Sequence, residues 1–166
     1  FERGAKVSGF RGYFLRNGAA ILNFAVWQFT FEHFMSKGGF TPVLVPALVR
    51  REILEGTGYL PQGEEDLYKT LDGDYLAGTS EVAMMGYHAG DTILKAELPK
   101  KFLGFSVCFR REAGSYGKDT KGLMRVHEFY KFEQLILCEA DHQESVKYHE
   151  WINKNTEEFV EALDLP

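Results

Sequence analysis

Apolar residues alternate with a period of two in Phe105, Val107 and Phe109, and again in Tyr130, Phe132 and Ile136. A strand turns successive side chains to opposite faces, so this pattern predicts two strands joined by a glycine-containing flap from Ala113 to Met124. Over Gly18 to Lys37 the period changes. Ala20, Phe24, Trp27, Phe31 and Phe34 recur three and four residues apart, as on one helix face, and Leu22, Val26 and Phe29 form a second apolar face. A helix apolar on two sides is either sandwiched within one subunit or part of an interface. Leu48 to Leu54 reads as a short helix and Glu55 to Gly63 as a loop containing Gly and Pro. Leu67 to Leu71 and Tyr75 to Ala77 read as short strands around an Asp72-Gly73 turn. Ser80 to Tyr87 is patterned as a helix. Asp141-His142-Gln143-Glu144 has the form of a capping box opening an amphipathic helix to about Leu163. No element is assigned before Gly18.

Composition narrows the class. The 166 residues amount to one domain, with 45% hydrophobic and 14% aromatic residues to build its core. There is no long uninterrupted apolar run to span a bilayer and no basic-then-apolar leader, so a cytoplasmic enzyme core with no membrane partner is expected. Phe1 in place of an initiator Met suggests a trimmed fragment. A formal net charge of −5 argues against an extended nucleic-acid surface, which leans on clustered Lys and Arg. Cys108 and Cys138 fall on the two predicted strands, close enough for a cross-strand contact, although a reducing compartment favours free thiols. The five histidines form no His-x-x-x-His pair and have no Cys-x-x-Cys partner, so no metal site within the chain is indicated.

The hairpin also carries the chemistry. Strand periodicity predicts Arg110 and Glu112 on the face of Ser106 and Cys108, and it puts Phe129 and Glu133 on one face of the returning strand. A guanidinium fork suits phosphate or carboxylate oxygens, each charge-assisted contact contributing roughly 1.5–3 kcal/mol. Arg110 is therefore a candidate oxyanion anchor. The plainer alternative for Arg110 and Glu112 is a surface ion pair worth roughly 0–1 kcal/mol. Phe129 could equally be core and Arg125 a solvated strand end. Thr79 and Ser80 could simply cap the following helix, with Glu81 as favourable first-turn charge.

The run from Phe109 to His127, Phe-Arg-x-Glu-Ala-Gly-Ser-x-Gly-Lys-Asp-Thr-x-Gly-Leu-x-Arg-Val-His, resembles motif 2 of the class II aminoacyl-tRNA synthetases in its seryl form. Gly39-Phe40-Thr41-Pro42-Val43-Leu44-Val45-Pro46 resembles motif 1, and Gly78-Thr79-Ser80-Glu81 resembles the seryl serine-binding loop. Gly56 to Pro61 and Glu65 to Tyr68 are seryl-like as well, so the similarity covers nearly the whole chain. The resemblance implies an α+β fold, an incomplete antiparallel sheet flanked by helices, with residues 1–166 a partial catalytic domain that lacks the tRNA-binding coiled-coil arm and motif 3. It implies ATP-dependent activation of L-serine and transfer to tRNA(Ser), with a homodimer formed through residues 18–46.

By the same resemblance Arg110 would be catalytic, holding the α-phosphate and the serine carboxylate together. Arg111, Glu112, Arg125, Val126 and Phe129 would complete the ATP site, with Arg125 on the γ-phosphate and Phe129 stacked on adenine. Thr79, Ser80, Glu81 and Glu133 would bind serine, Glu133 staying ionised against the ammonium. ATP and Mg2+ are the implied cofactors, the metal's protein ligands and the group reading the serine hydroxyl being expected beyond Pro166. Weak or absent full aminoacylation by the segment follows. The residues Lys118 to Lys121 are expected to order over ATP and the tRNA acceptor end. Phe10-Arg11-Gly12 and Glu128 depart from the usual pattern and are set aside as remote from the chemistry. The alternative is a non-catalytic or repurposed homologue: a dimerising regulatory module or a carrier-protein aminoacylator.

Overall fold

In the computed structural model, which describes residues 1–114 and 123–165, the hairpin is the centre of the fold. β5 (Lys100–Phe109) and β6 (Glu128–Leu137) pair antiparallel from Lys100 opposite Leu137 to Phe109 opposite Glu128. The first strand thus starts five residues before the predicted Phe105. Alternation is lost there because both faces are covered: Phe102, Leu103 and Gly104 are all buried. β1 (Phe40–Leu44) joins the other edge of β5 in parallel, in the order β1-β5-β6, so the sheet is mixed rather than purely antiparallel. Pro42 is tolerated because β1 has no further neighbour among the described strands.

A second sheet has the order β2-β4-β3, from β2 (Leu48–Val49), β3 (Tyr68–Lys69) and β4 (Tyr75–Leu76). The helix predicted from Leu48 is corrected here. Leu48 and Val49 pair with Leu76 and Tyr75, and α3 (Arg51–Gly56) begins only after the extended Arg50. Burial of Val49 beside Tyr75 and Leu54 outweighs local helix preference, which is a weak determinant for two residues. The predicted turn holds, with Gly73 at φ 94° and the Thr70 amide donating to the Asp74 carbonyl at 2.8 Å.

Helices sandwich the hairpin. α2 (Gly18–Ser36) meets the face of Phe105 and Tyr130 through Trp27, whose ring centroid lies 5.5 and 4.6 Å from theirs. Along its first half Ile21, Leu22 and Phe24 remain 65–70% exposed, so apolar residues of both predicted faces turn outward there, while Phe29 of the second face packs on Phe159 of the last helix. α4 (Ser80–Gly86) covers the opposite face of the hairpin, and Gly104 makes this closeness feasible: a Cβ there would lie 2.7 Å from Met84 Sδ and 2.9 Å from Ser80 Oγ. α5 (His142–Ala162) packs Phe159 on Phe34. Asp141 caps it by accepting from the Glu144 amide at 3.0 Å, while the Glu144 carboxylate turns to Lys147 at 2.9 Å.

An unassigned helix, α1 (Glu2–Ser8), opens the chain. Gly4 lies backbone to backbone with Gly12, where a Cβ on Gly4 would come within 2.2 Å of the Gly12 carbonyl oxygen. The contact carries Arg11 into the interior, where it is 5% exposed. Among the described residues no helix is long and apolar enough to cross a membrane. Cys108 and Cys138 are both free thiols.

Candidate active site

Side chains of even-numbered β5 residues and odd-numbered β6 residues share the face beneath α4, because the register sets Gly104 opposite Glu133, Ser106 opposite Lys131 and Cys108 opposite Phe129. Glu133 is the hub. Its Oε2 accepts from the Thr79 hydroxyl, from Ser80 Oγ at 2.8 Å and from the Glu81 amide at 2.9 Å. Its Oε1 lies 3.2 Å from Lys131 Nζ, which also donates to Thr79 Oγ1 at 2.7 Å. Burial pushes the Glu133 carboxyl up, but Thr79, Lys131, Ser80 and the Glu81 amide together hold it below the ordinary carboxylate range, so it is ionised at neutral pH as expected. The cap reading of Thr79 coexists with this network, its hydroxyl accepting from the Glu81 amide at 3.4 Å. Glu81 is itself held by the Tyr59 hydroxyl at 3.4 Å.

Arg110 approaches the same corner from the other side. Its guanidinium lies 5.4 Å above the Phe129 ring and donates to the Gly78 carbonyl at 3.4 Å. Gly78 is fitted to this: a Cβ would sit 3.3 Å from Arg110 Cγ and Nε. The Gly78-Thr79 corner thus receives an exposed guanidinium on one flank and a half-buried carboxylate on the other. The Arg110 amide and the His127 carbonyl, 3.0 Å apart, continue the ladder beyond the last paired residues.

The expectation that Glu112 shares the Arg110 face is corrected. β5 ends at Phe109 and Glu112 is left-handed at φ 58°, so strand alternation no longer applies. Its carboxylate pairs with Arg125 and, at 3.7 Å, with Arg11. Arg11, set aside in the sequence, therefore belongs to the arrangement. Arg11 also lines a cavity of about 510 Å³ with Tyr13, Tyr68, His127 and Glu128, beside the hairpin face that meets α2. Glu128, likewise set aside, faces this cavity rather than Glu133. Arg111 is exposed, its amide bonding the Asp66 carbonyl at 2.8 Å, and Val126 is half-buried between Arg125 and His127. The predicted flap residues Lys118 to Lys121 lie outside the described residues.

Thr79, Ser80, Glu81, Glu133, Arg110 and Phe129 are thus gathered around one corner, while Glu112 and Arg125 form a separate pair beyond it. Lys131 was missed although its signal was plain: it sits midway between Phe129 and Glu133 and must share their face. Arg11 could have been found only from the Gly4 and Gly12 spacing, which is too weak a pattern to read alone. Among the described residues no group of three or more His, Cys, Asp or Glu could hold a metal ion.

Residues 68–165 match the family described as the tRNA synthetase class II core domain (G, H, P, S and T). Over its whole length the chain is 51% identical to a serine–tRNA ligase of Deinococcus radiodurans, covering 39% of that protein. It is 45% identical to the serine–tRNA ligase of Cutibacterium acnes, covering 38% of it. The fold superposes on seryl-tRNA synthetase from Pyrococcus horikoshii complexed with ATP, with a TM-score of 0.89 and 42% identity over 97% of this chain and 36% of the other. A cytoplasmic serine–tRNA ligase from Naegleria fowleri in complex with AMP gives a TM-score of 0.92 and 34% identity over 98% of this chain and 38% of the other. The chain spans about 39% of the length of the curated relatives it matches.

Proposed function

Because the chain belongs to the class II tRNA synthetase core family, we propose that it is part of a serine–tRNA ligase and carries the amino-acid half of the activation site. One observation carries this reading: the Gly78-Thr79 corner is flanked by the Arg110 guanidinium and the ionised Glu133. A free α-amino acid has a carboxylate for the first and an ammonium for the second. Held between them, its carboxylate is positioned to attack the α-phosphorus of ATP. A carboxylate oxygen–phosphorus bond forms, the bond to the β-phosphate bridge breaks, and pyrophosphate leaves.

Such a reaction needs alignment and charge stabilisation more than a protein nucleophile. Arg110 meets the developing charge on the α-phosphate and the attacking carboxylate together. Phe129, already beneath the guanidinium, offers its ring to adenine. Arg125 and Arg111 supply further cationic contacts for the phosphates. The adenylate is then consumed by a terminal hydroxyl of tRNA(Ser), which displaces AMP. The relatives' names and the ATP and AMP complexes support serine, tRNA and ATP as substrates. Mg2+ is expected with ATP. The described residues offer no cluster that fits it, so no step here runs through the metal.

The exposed apolar side of α2, with Leu44 of β1 at 84% exposure, suits a homodimer interface through residues 18–46. A cytoplasmic site of action belongs to the same reading. The deciding experiment is amino-acid-dependent ATP–pyrophosphate exchange by the full-length protein, comparing serine with threonine, glycine and proline. Exchange confined to serine is expected. No serine-dependent exchange sinks the reading in favour of a non-catalytic or repurposed homologue.

A further inference from the structure

We propose that Lys131 is an internal stand-in for the substrate ammonium, holding the acceptors of the amino-acid pocket while it is empty and leaving them when serine enters. The inference rests on the reading that the pocket takes an amino acid. The acceptor census points to it. Glu133 Oε2 is already engaged by three donors, from Thr79, Ser80 and the Glu81 amide. Oε1 meets Lys131 alone among the described donors, at 3.2 Å. Thr79 spends its single hydroxyl proton on Glu133, so its oxygen can otherwise only accept, and it accepts from Lys131 at 2.7 Å. The two acceptors that an α-ammonium would use are thus both taken by a side chain ending in the same functional group.

The arrangement has a physical reason. Glu133 stays ionised on a part-buried face beneath α4, and an unpaired carboxylate there would be costly. Lys131 supplies the counter-charge from two residues away on the same strand face. Its side chain is 29% exposed and that of Glu133 22%, so the pair is partly wetted and its release is cheap. Four rotatable bonds let the ammonium swing away without moving β6. Entry of serine then exchanges one ammonium for another and leaves the carboxylate paired throughout.

The test is serine affinity measured by calorimetry on the full-length protein, with the serine KM in pyrophosphate exchange alongside. Lys131→Met should tighten serine binding and lower its KM by about two- to fivefold, the factor expected on removing a partly exposed competing ion pair. The acid limb of the binding profile should also move to higher pH, since Glu133 loses a cation that favours its ionised form. Should the methionine variant fail to fold, Lys131→Gln removes the charge while keeping a donor for Thr79, and should shift affinity the same way. Unchanged or weaker serine binding in the folded variant overturns the inference while leaving the proposed function intact. A wild-type protein that binds no serine overturns both, and does so before any substitution is made.

Discussion

On the proposed function, the amino-acid and nucleotide ends of the site are built on different terms. At the amino-acid end, Thr79, Ser80 and Glu133 come from a helix start and a central strand pair, and Ser80 and Thr79 are 0% and 3% exposed. At the nucleotide end, Arg110 and Arg111 lie past the last residue of β5, exposed, and Glu112 has left strand geometry. Among the described residues Glu133 has its counter-charge in place, whereas Arg110 meets only a carbonyl and a ring. One end is therefore fixed by folding before any substrate arrives. On the proposed function the other is completed by the anions of the ligand, and substitutions should separate the two: fold at one end, rate at the other.

The largest effect is expected from Arg110→Ala. Removing a group that meets charge developing in a transition state typically costs about 10²–10³ in turnover, so serine-dependent exchange should fall by that much. Its exposure confines the stability change to roughly 0.5 kcal/mol, checked by denaturant unfolding. A large loss of stability with it would erase the contrast, because the nucleotide end would then be part of the frame.

Glu133→Ala should invert the pattern. It strands the buried hydroxyls of Ser80 and Thr79, and an unsatisfied buried group costs about 1–3 kcal/mol, so stability should fall together with serine binding. The pH dependence has a definite sign. The folded pKa of Glu133 lies below its ordinary value, so the contribution is present above that ordinary value and is lost as pH falls through the depressed one. The gap in unfolding free energy between wild type and Glu133→Gln should consequently narrow on acidification from neutrality. A gap independent of pH would remove the charge of Glu133 from the account.

This division also sets what could be read without coordinates. Period-two alternation located Phe129 and Glu133 on one face, because β6 is regular and one face of it carries the site. The same rule failed for Glu112, because it presumed a strand beyond Phe109 where a left-handed residue stands. It failed in the other direction at Phe102 and Leu103, where burial on both faces removes alternation. Leu48 and Val49 were misread because two residues carry no period, and their strand state comes from Tyr75 and Leu76 far along the chain. Arg11 reaches Glu112 through a glycine-to-glycine approach of α1, a tertiary contact with no local pattern. Regular elements are legible from periodicity; ends and long-range approaches are not.

Gly104→Ala probes how tightly the amino-acid end is fitted. The added methyl would meet Met84 Sδ at 2.7 Å and Ser80 Oγ at 2.9 Å, so α4 must lift or Met84 must turn. Overpacking of this kind costs about 1–3 kcal/mol. Any lift of α4 carries Ser80 and Glu81 away from Glu133, so the serine KM should rise while the ATP KM holds. Equal changes in both would mean that the two ends move as one body.

The smallest effect is expected where the two ends touch. Phe129 lies opposite Cys108, in the same face as Glu133, yet its ring serves the Arg110 guanidinium at 5.4 Å. Phe129→Leu keeps an apolar side chain on β6 and removes only the ring, whose contact with a partly exposed guanidinium is worth about 0.5–1 kcal/mol. The ATP KM should therefore rise about two- to fivefold, and stability and the serine KM should stay near wild type. If the serine KM rose by the same factor, Phe129 would be acting through the Gly78-Thr79 corner that Arg110 and Glu133 share. The boundary between the fixed end and the ligand-completed end would then lie beyond Phe129, at Arg110 itself.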